Sequence, residues 1–224
     1  MGTLYIVATP IGNMKDITLR AVETLESVDL VLAEDTRVAK KLLSHHGIRK
    51  SVWRADARAE REMGEKVARE LMSGKNIAFI SDAGTPNVSD PGAALVAYIR
   101  EYAPRVPIVS IPGVSAITAL LSIAGVSGDS FVFLGYPPHK KGRNTFFEKL
   151  AKIENSAIFY ESPHRIEKTI AAIEEFLGKE KRFCVGRELT KMHEEIFWGT
   201  ATEAAAHFRG ERKKGEFVLL IPQN

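Results

Sequence analysis

Short apolar runs alternate with stretches of helical periodicity from one end of the chain to the other, and this alternation constrains the fold more than any other feature. Residues 4–8 read as a buried strand, followed by a helix with Asp16 or Thr18 as N-cap and Leu19, Val22 and Leu25 on one face. A second strand is expected at residues 30–33, a helix at 38–45 closed by Gly47, and a longer helix at 60–72 stopped by Ser73-Gly74. Residues 77–80 form the next strand, 93–102 a helix, and 106–111 a strand ending at Pro112-Gly113. Strands that follow one another through helices pair in parallel. Residues 1–112 are therefore predicted to form an α/β domain with a mostly parallel sheet and helices on both faces.

The domain boundary is placed at Pro112-Gly113. An apolar helix at residues 115–124 leads through Gly125 to a strand at 131–134. Strands at 157–160, 182–185, 195–198 and 217–221 follow, with helices at 166–176 and 201–208. Some of these strands are joined by connections too short for a crossover, so residues 113–224 are expected to form a second α/β domain with a mixed sheet. The one linker-like stretch is Gly135 to Arg143, with Pro137-Pro138 and a basic tip. No internal repeat or low-complexity segment interrupts the pattern.

Composition narrows the function classes. At 224 residues and 45% hydrophobic, the chain can bury a core without staples. The single cysteine, Cys184, excludes an internal disulfide framework and a multi-thiolate metal site, and its apolar neighbours Phe183 and Val185 predict a buried, inert thiol. A cytoplasmic setting is expected. No apolar stretch approaches membrane-spanning length, and the start lacks the basic and long apolar regions of a signal peptide. Gly2 does not make a lipidation site, because Ile6 stands where that pattern wants Ser or Thr. Net charge is +3, and the surplus lies in residues 139–224, with 16 basic against 13 acidic side chains. It clusters at His139 to Arg143 and at Arg209 to Lys214, which fits phosphate contacts on a nucleic acid and equally a solvated surface.

Segments dense in special residues sit where the strands end. The densest, ISDAGTPNVSDPG from Ile80 to Gly92, follows a strand with two Asp, two Gly and two Pro; such a loop turns tightly and offers backbone groups to a ligand. In open α/β sheets small molecules bind at the carboxyl ends of strands, so this loop is the leading cofactor candidate. ATPIGN, from Ala8 to Asn13, occupies the position of a cofactor loop but is not a GxGxxG, and no Walker A sequence occurs. AEDTR, from Ala33 to Arg37, sets three ionisable side chains at a strand end, where Asp35 or Thr36 can also serve simply as a helix N-cap. IPGVSA at Ile111 to Ala116 and FYESPHR at Phe159 to Arg165 are further strand-to-helix turns, in which Ser115 can be a cap and Glu161 a surface residue. The last segment, RELTKMHEE at Arg187 to Glu195, is rich in acid, base and hydroxyl, but His193 with Glu194 and Glu195 lacks ligand spacing, so no metal is expected.

In this order ATPIGN, AEDTR, SDAGTP, IPGVSA, FYESPHR and RELTKMHEE resemble the tetrapyrrole methylase-like superfamily. More closely they are similar to its bacterial 16S ribosomal RNA (cytidine-2′-O)-methyltransferase branch, over residues 4–221. The resemblance implies two α/β domains with the cofactor cleft between them, S-adenosylmethionine as methyl donor, a homodimer, and a cytidine ribose in the decoding region of small-subunit rRNA as target. It also implies that Pro10, Ala83, Gly84, Thr85, Val88, Ser89, Ser115, Ala116, Tyr160, Arg187, Glu188 and Leu189 line the donor pocket. Members acting on tetrapyrroles carry an acidic residue where Thr85 stands. Many members of the branch run on past the last strand; this sequence ends at Asn224, so RNA contacts from such a segment are expected to be absent or replaced.

Methyl transfer from a sulfonium is an in-line displacement with an activated donor, so positioning can supply much of the catalysis. A base or cation near the 2′-hydroxyl would help, which makes Asp35, Arg37, Glu188 and Lys191 the catalytic candidates, with cleft ion pairs as their alternative role. Lys140, Lys141 and Arg143 are expected to meet RNA phosphates, either in free rRNA or in the assembled small subunit. Two rival functions share parts of this reading: a tetrapyrrole methyltransferase, which AEDTR and FYESPHR argue against, and a non-catalytic RNA-binding assembly protein, for which no RRM, KH or zinc-knuckle pattern speaks.

Overall fold

The structure, a computed structural model of the chain, describes residues 1–55 and 60–223. The chain divides into two compact units, Met1–Ser115 and Ala116–Asn224. This places Ile111 to Ser115 of IPGVSA with the first unit, where Gly113 lies so close to Ala8 that a Cβ on it would stand 2.9 Å from the Ala8 Cβ, and Ala116 with the second.

The first unit runs β1 (Leu4–Val7), α1 (Leu19–Ser27), β2 (Leu30–Ala33), α2 (Thr36–His45), β3 (Val52–Arg54), α3 (Glu60–Met72), β4 (Ile77–Ile80), α4 (Ala93–Tyr102) and β5 (Ile108–Ile111). Its strands are ordered β3-β2-β4-β1-β5 and pair in parallel throughout. Alternation along each strand feeds two cores. Val31 and Ala33 of β2 pack with Ala21 and Leu25 of α1 and with Leu42 of α2. Leu30 and Leu32 pack on the other face with Val67 and Leu71 of α3 and with Ile99 of α4. Of the two candidate caps for α1, Thr18 takes the role, its hydroxyl accepting the Ala21 N–H at 3.1 Å. Asp16 instead ends a short 3₁₀ turn, Met14–Asp16.

The second unit runs α5 (Ala116–Ala124), β6 (Phe131–Phe133), α6 (Arg143–Leu150), β7 (Ser156–Glu161), α7 (Ile166–Leu177), β8 (Phe183–Arg187), β9 (Glu195–Gly199), α8 (Ala201–His207) and β10 (Phe217–Ile221). The order is β6-β7-β10-β8-β9; β6 and β7 are parallel and the remaining pairs antiparallel. Helices α6, α7 and α8 cover one face, burying Phe147, Ile170 and Ala204 against Phe159, Phe183 and Leu219. Each fully buried Phe contributes roughly 1.5–3 kcal/mol by area. On the other face Gly186 makes room for Leu120 of α5, whose Cδ1 would stand 3.1 Å from a Cβ at 186. Cys184 is fully buried and free, and burial pushes its thiol up to about 11, in keeping with an inert group. Among the described residues no helix is long and apolar enough to cross a membrane.

Candidate functional site

Strands β1 and β4 are neighbours, yet the chain leaves β1 toward α1 on one face and β4 toward α4 on the other. Loops that diverge in this way open the sheet at the carboxyl ends of the two strands, the position where open α/β sheets bind ligands. Here the loops are also stitched together. Thr9 N–H donates to Gly84 O at 2.9 Å, and Gly84 N–H donates to Thr9 O at 3.0 Å. The buried Thr9 and Ser81 hydroxyls donate to Ser81 O at 3.1 Å and to Gly84 O at 3.0 Å. Asp35 N–H reaches Asp82 Oδ1 at 3.2 Å. With the approach of Gly113 to Ala8, the fold brings ATPIGN, AEDTR, SDAGTP and the Pro112-Gly113 turn to one edge of the first unit.

Backbone rather than side chains shapes that edge. Gly84 holds φ at +80°, and a Cβ there would come within 3.3 Å of the Ile11 side chain. Asn87 and Ser89 lie in the left-handed region at φ 73° and 62°. Only two other non-glycine residues among those described do so, Glu188 and Thr190, and both fall in RELTKMHEE. Each such residue costs about 1–2 kcal/mol, and strain of this kind collects at ligand-holding loops. Pro10 and Gly84 are buried, Thr85 and Val88 half-buried, Ala83 and Ser89 exposed; Ser115 immediately precedes α5, which Ala116 opens. A donor held by main-chain groups fits this arrangement, because the cradle at Gly84 is one a side chain would fill.

The charges at this edge differ in availability. Asp35 is the N-cap of α2, its carboxylate accepting the Arg37 N–H at 2.8 Å and the Arg37 guanidinium at 2.6 Å. That guanidinium and N–H hold the Asp35 carboxyl well below the usual range, while the Arg37 side chain is 89% exposed. The pair thus takes the cap geometry that was the alternative to catalysis. Asp90, not singled out from the sequence, is pushed up to about 6 by burial, with Glu34 and Asp82 adding to the shift and a bond from Ser81 opposing it. Only the fold places three carboxylates together, so spacing gave no signal for it.

In the second unit Glu161, Phe217, Arg187 and Glu195 stand opposite one another across β7, β10, β8 and β9, which sets the ends of FYESPHR and RELTKMHEE side by side. Glu161 is not a surface residue; it is 1% exposed. Its carboxylate takes Arg165 at 2.7 Å, Arg143 at 3.6 Å and the Thr169 hydroxyl at 2.5 Å. Both guanidiniums continue to the preceding loop, Arg165 to Pro137 O at 2.7 Å and Arg143 to Pro138 O at 3.3 Å. Two corrections follow. The stretch from Gly135 to Arg143 is pinned rather than linker-like, and Arg143 faces inward with its charge answered by Glu161, unlike the exposed Lys140 and Lys141. Tyr160 is half-buried, edge-on to Phe133 at 5.0 Å.

Glu188 and Lys191 do pair, although the turn between them is not helical. Glu188 has φ +51° and Thr190 φ +66°, yet Lys191 N–H closes the turn onto Glu188 O at 3.0 Å. Lys191 Nζ lies 2.9 Å from Glu188 Oε1 and 2.8 Å from Glu216 Oε2, and Glu216 N–H donates to Glu188 Oε1 at 2.8 Å. Burial pushes the Glu188 carboxyl up, but the Glu216 N–H and Lys191 outweigh it and hold it below its ordinary value. Burial likewise opposes the Lys191 charge, and the two carboxylates outweigh it and raise its pKa. Both groups are thereby kept charged. Leu189 is buried beside them, and Arg187 donates to Lys214 O at 2.7 Å. Arg187, Glu188, His193, Glu195 and Lys214 help to line an open concavity of about 660 Å³.

The chain is similar to known proteins over most of its length. Residues 3–205 match the model of the tetrapyrrole (corrin/porphyrin) methylases. A protein of Synechocystis sp. named Ribosomal RNA small subunit methyltransferase I is 44% identical over 99% of this chain and 79% of its own length. One of the same name from Thermotoga maritima is 40% identical over 99% of this chain and 98% of its own. Among solved structures, the methyltransferase CobJ superposes with a TM-score of 0.72 at 16% identity, covering 100% of this chain and 95% of that one. Uroporphyrin III C-methyl transferase from Thermus thermophilus does so with 0.68 at 16% identity, covering 98% and 97%.

Proposed function

Because the chain belongs to the tetrapyrrole (corrin/porphyrin) methylase family, we propose that it transfers the methyl group of S-adenosylmethionine to a cytidine 2′-hydroxyl in the decoding region of small-subunit rRNA. The carrying observation is a near-full-length likeness to proteins named for rRNA methylation. The solved methyltransferases that superpose on the chain share its fold at much lower identity. A tetrapyrrole acceptor is correspondingly less supported.

The donor supplies an electrophilic methyl on sulfonium sulfur. Gly84, Thr85, Val88, Ser89 and Pro10 are assigned to hold it, with Ala83, Ser115 and Ala116 in the same strand-end segments and Tyr160, Arg187 and Leu189 from the second unit. As the new carbon–oxygen bond forms, the donor's methyl–sulfur bond would break to leave S-adenosylhomocysteine and the acceptor hydroxyl would lose its proton to solvent water; a fixed cation stabilises the oxygen charge that develops. Lys191 is assigned that part, with Glu188 orienting it. Glu188 and Asp35 are both held ionised, which makes either a weak base, and Arg37 is committed to the cap. Lys140 and Lys141 remain proposed RNA contacts. A homodimer in the cytoplasm completes the reading, and sedimentation of the purified chain checks the dimer.

The test incubates the protein with methyl-labelled S-adenosylmethionine and either small subunits lacking the modification or uroporphyrinogen. Label in a cytidine ribose is the expected result. Label in the porphyrin, or in neither, overturns the reading.

A further inference from the structure

From Thr36 to Ala55 the chain carries six Lys or Arg residues and no carboxylate, whereas the rest of residues 1–115 holds nine basic against fourteen acidic side chains. The net positive charge within an otherwise acidic unit is therefore concentrated in one stretch. The fold spreads that stretch over one surface. Positions 37, 40, 41, 44 and 45 are exposed and recur at helical spacing, forming a stripe on α2 opposite the buried Ala39, Leu42 and Leu43. After Gly47, exposed Arg49 and half-buried Lys50 lead into the edge strand β3. Val52 packs in the same core cluster as α2, and Arg54, two residues on, is exposed on that same face of the sheet.

Among the described residues, none of Lys40, Lys41, Arg49, Lys50 and Arg54 has a side-chain ion pair or hydrogen bond. A stripe of cations with carboxylates interspersed would be an ordinary solvated face. Here no carboxylate occurs over twenty residues, and apart from Arg37, which pairs with Asp35, the cations of the stretch present their charge to an outside polyanion. We propose that the α2–β3 face is a docking surface for the phosphodiester backbone of the substrate RNA; this rests on the rRNA reading above and adds a surface to it. Ten residues of helix span about 15 Å, enough to follow several successive phosphates. The stripe begins beside Asp35, whose N–H reaches Asp82 in the loop assigned to the donor. RNA held along α2 therefore runs up to the donor-binding edge of the same unit.

The experiment compares the wild type with Lys40→Ala/Lys41→Ala, Arg49→Ala/Lys50→Ala and the charge-preserving Lys40→Arg/Lys41→Arg. Affinity for small-subunit rRNA is measured between about 50 and 200 mM salt. Each lost phosphate contact should flatten the slope of log affinity against log salt by about 0.7–0.9, so each double Ala variant loses roughly 1.5. The Arg variant keeps the wild-type slope, and calorimetric donor affinity stays unchanged in all three, which also reports an intact fold. Wild-type slopes in both Ala variants overturn the surface. If the wild type places no label in rRNA, the functional reading itself has failed; a wild type that methylates while both Ala variants bind alike sinks the surface alone.

Discussion

Lys191 keeps its proton because two carboxylates face it, and Glu188 keeps its charge because Lys191 and the Glu216 N–H face it. A cation so fixed can act on developing oxygen charge without reorganising. Removing one such donor commonly costs about 10²–10³ in rate, so Lys191→Ala should lower single-turnover methylation by that order with donor and RNA saturating, and Glu188→Gln by less. Near-wild-type rates in both variants would reduce the pair to scaffold. The spacing of Glu188 and Lys191 left open whether they share a side, since two left-handed residues, invisible in composition, make the turn. Asp90 gives a pH test. Its folded-state pKa of about 6 lies above the ordinary 3.8, so it favours folding while protonated; that contribution is full below pH 3.8 and is lost as pH rises through 6. Discounted for partial solvent screening, Asp90→Asn should add about 1 kcal/mol at pH 7 and nothing near pH 3.5, read from urea melts at both values. An equal effect at both pH values would show that the carboxylate is not destabilised by its neighbours. Glu161 marks the opposite case: Glu161→Ala strands two guanidiniums and should cost about 3–5 kcal/mol in the same melts, whereas a surface acid would cost almost none.

Strands and helices with strong periodicity were legible because burial on two faces demands it. Residues 30–33, 60–72, 77–80, 93–102 and 217–221 are the observed elements to the residue. Two elements were not anticipated, for physical reasons. β3 is three residues long, and its Arg54 lies exposed on an edge. α6 begins at Arg143, whose side chain serves Glu161 rather than an amphipathic pattern, and only Phe147 and Leu150 of its eight residues are buried. α2 starts at Thr36, two residues ahead of the reading, because the Asp35 cap draws in the first turn. The SDAGTP loop was legible as a tight strand-end turn from its turn residues; its stitching to Thr9 was not, because main-chain bonds across 75 residues leave no trace in spacing. This loop makes its own prediction. Gly84→Val imposes a left-handed β-branched residue, at about 1–2 kcal/mol, and sets side-chain carbons against Ile11 in the cradle assigned to the donor. Calorimetric titration should show donor affinity falling about tenfold or more while RNA binding persists. Unchanged donor affinity in the folded variant would remove the loop from the site.

The chain divides into two units, Met1–Ser115 and Ala116–Asn224, each with cores of its own. The mixed sheet of the second unit was legible from its short connections, since antiparallel neighbours need no crossover. The charge balance was legible as totals but misleading as a map. The surplus lies in residues 139–224, yet the longest stretch of cations free of carboxylates lies on α2 and β3, hidden in the total by the acidic residues around it. Separate cores imply separate opening. Phe147 is fully buried among Phe159, Ile170 and Phe183, and Phe147→Ala should cost about 3–5 kcal/mol through the cavity it leaves. If the second unit opens as its own cooperative body, native-state hydrogen exchange of this variant will accelerate at β7, β8 and β10 by the factor that this energy implies, while β1, β2 and β4 keep wild-type protection. Equal acceleration in both sets of strands would show instead that the two cores open together, so that a lesion under the Glu161 network is felt at β1 and β4 as strongly as beside it.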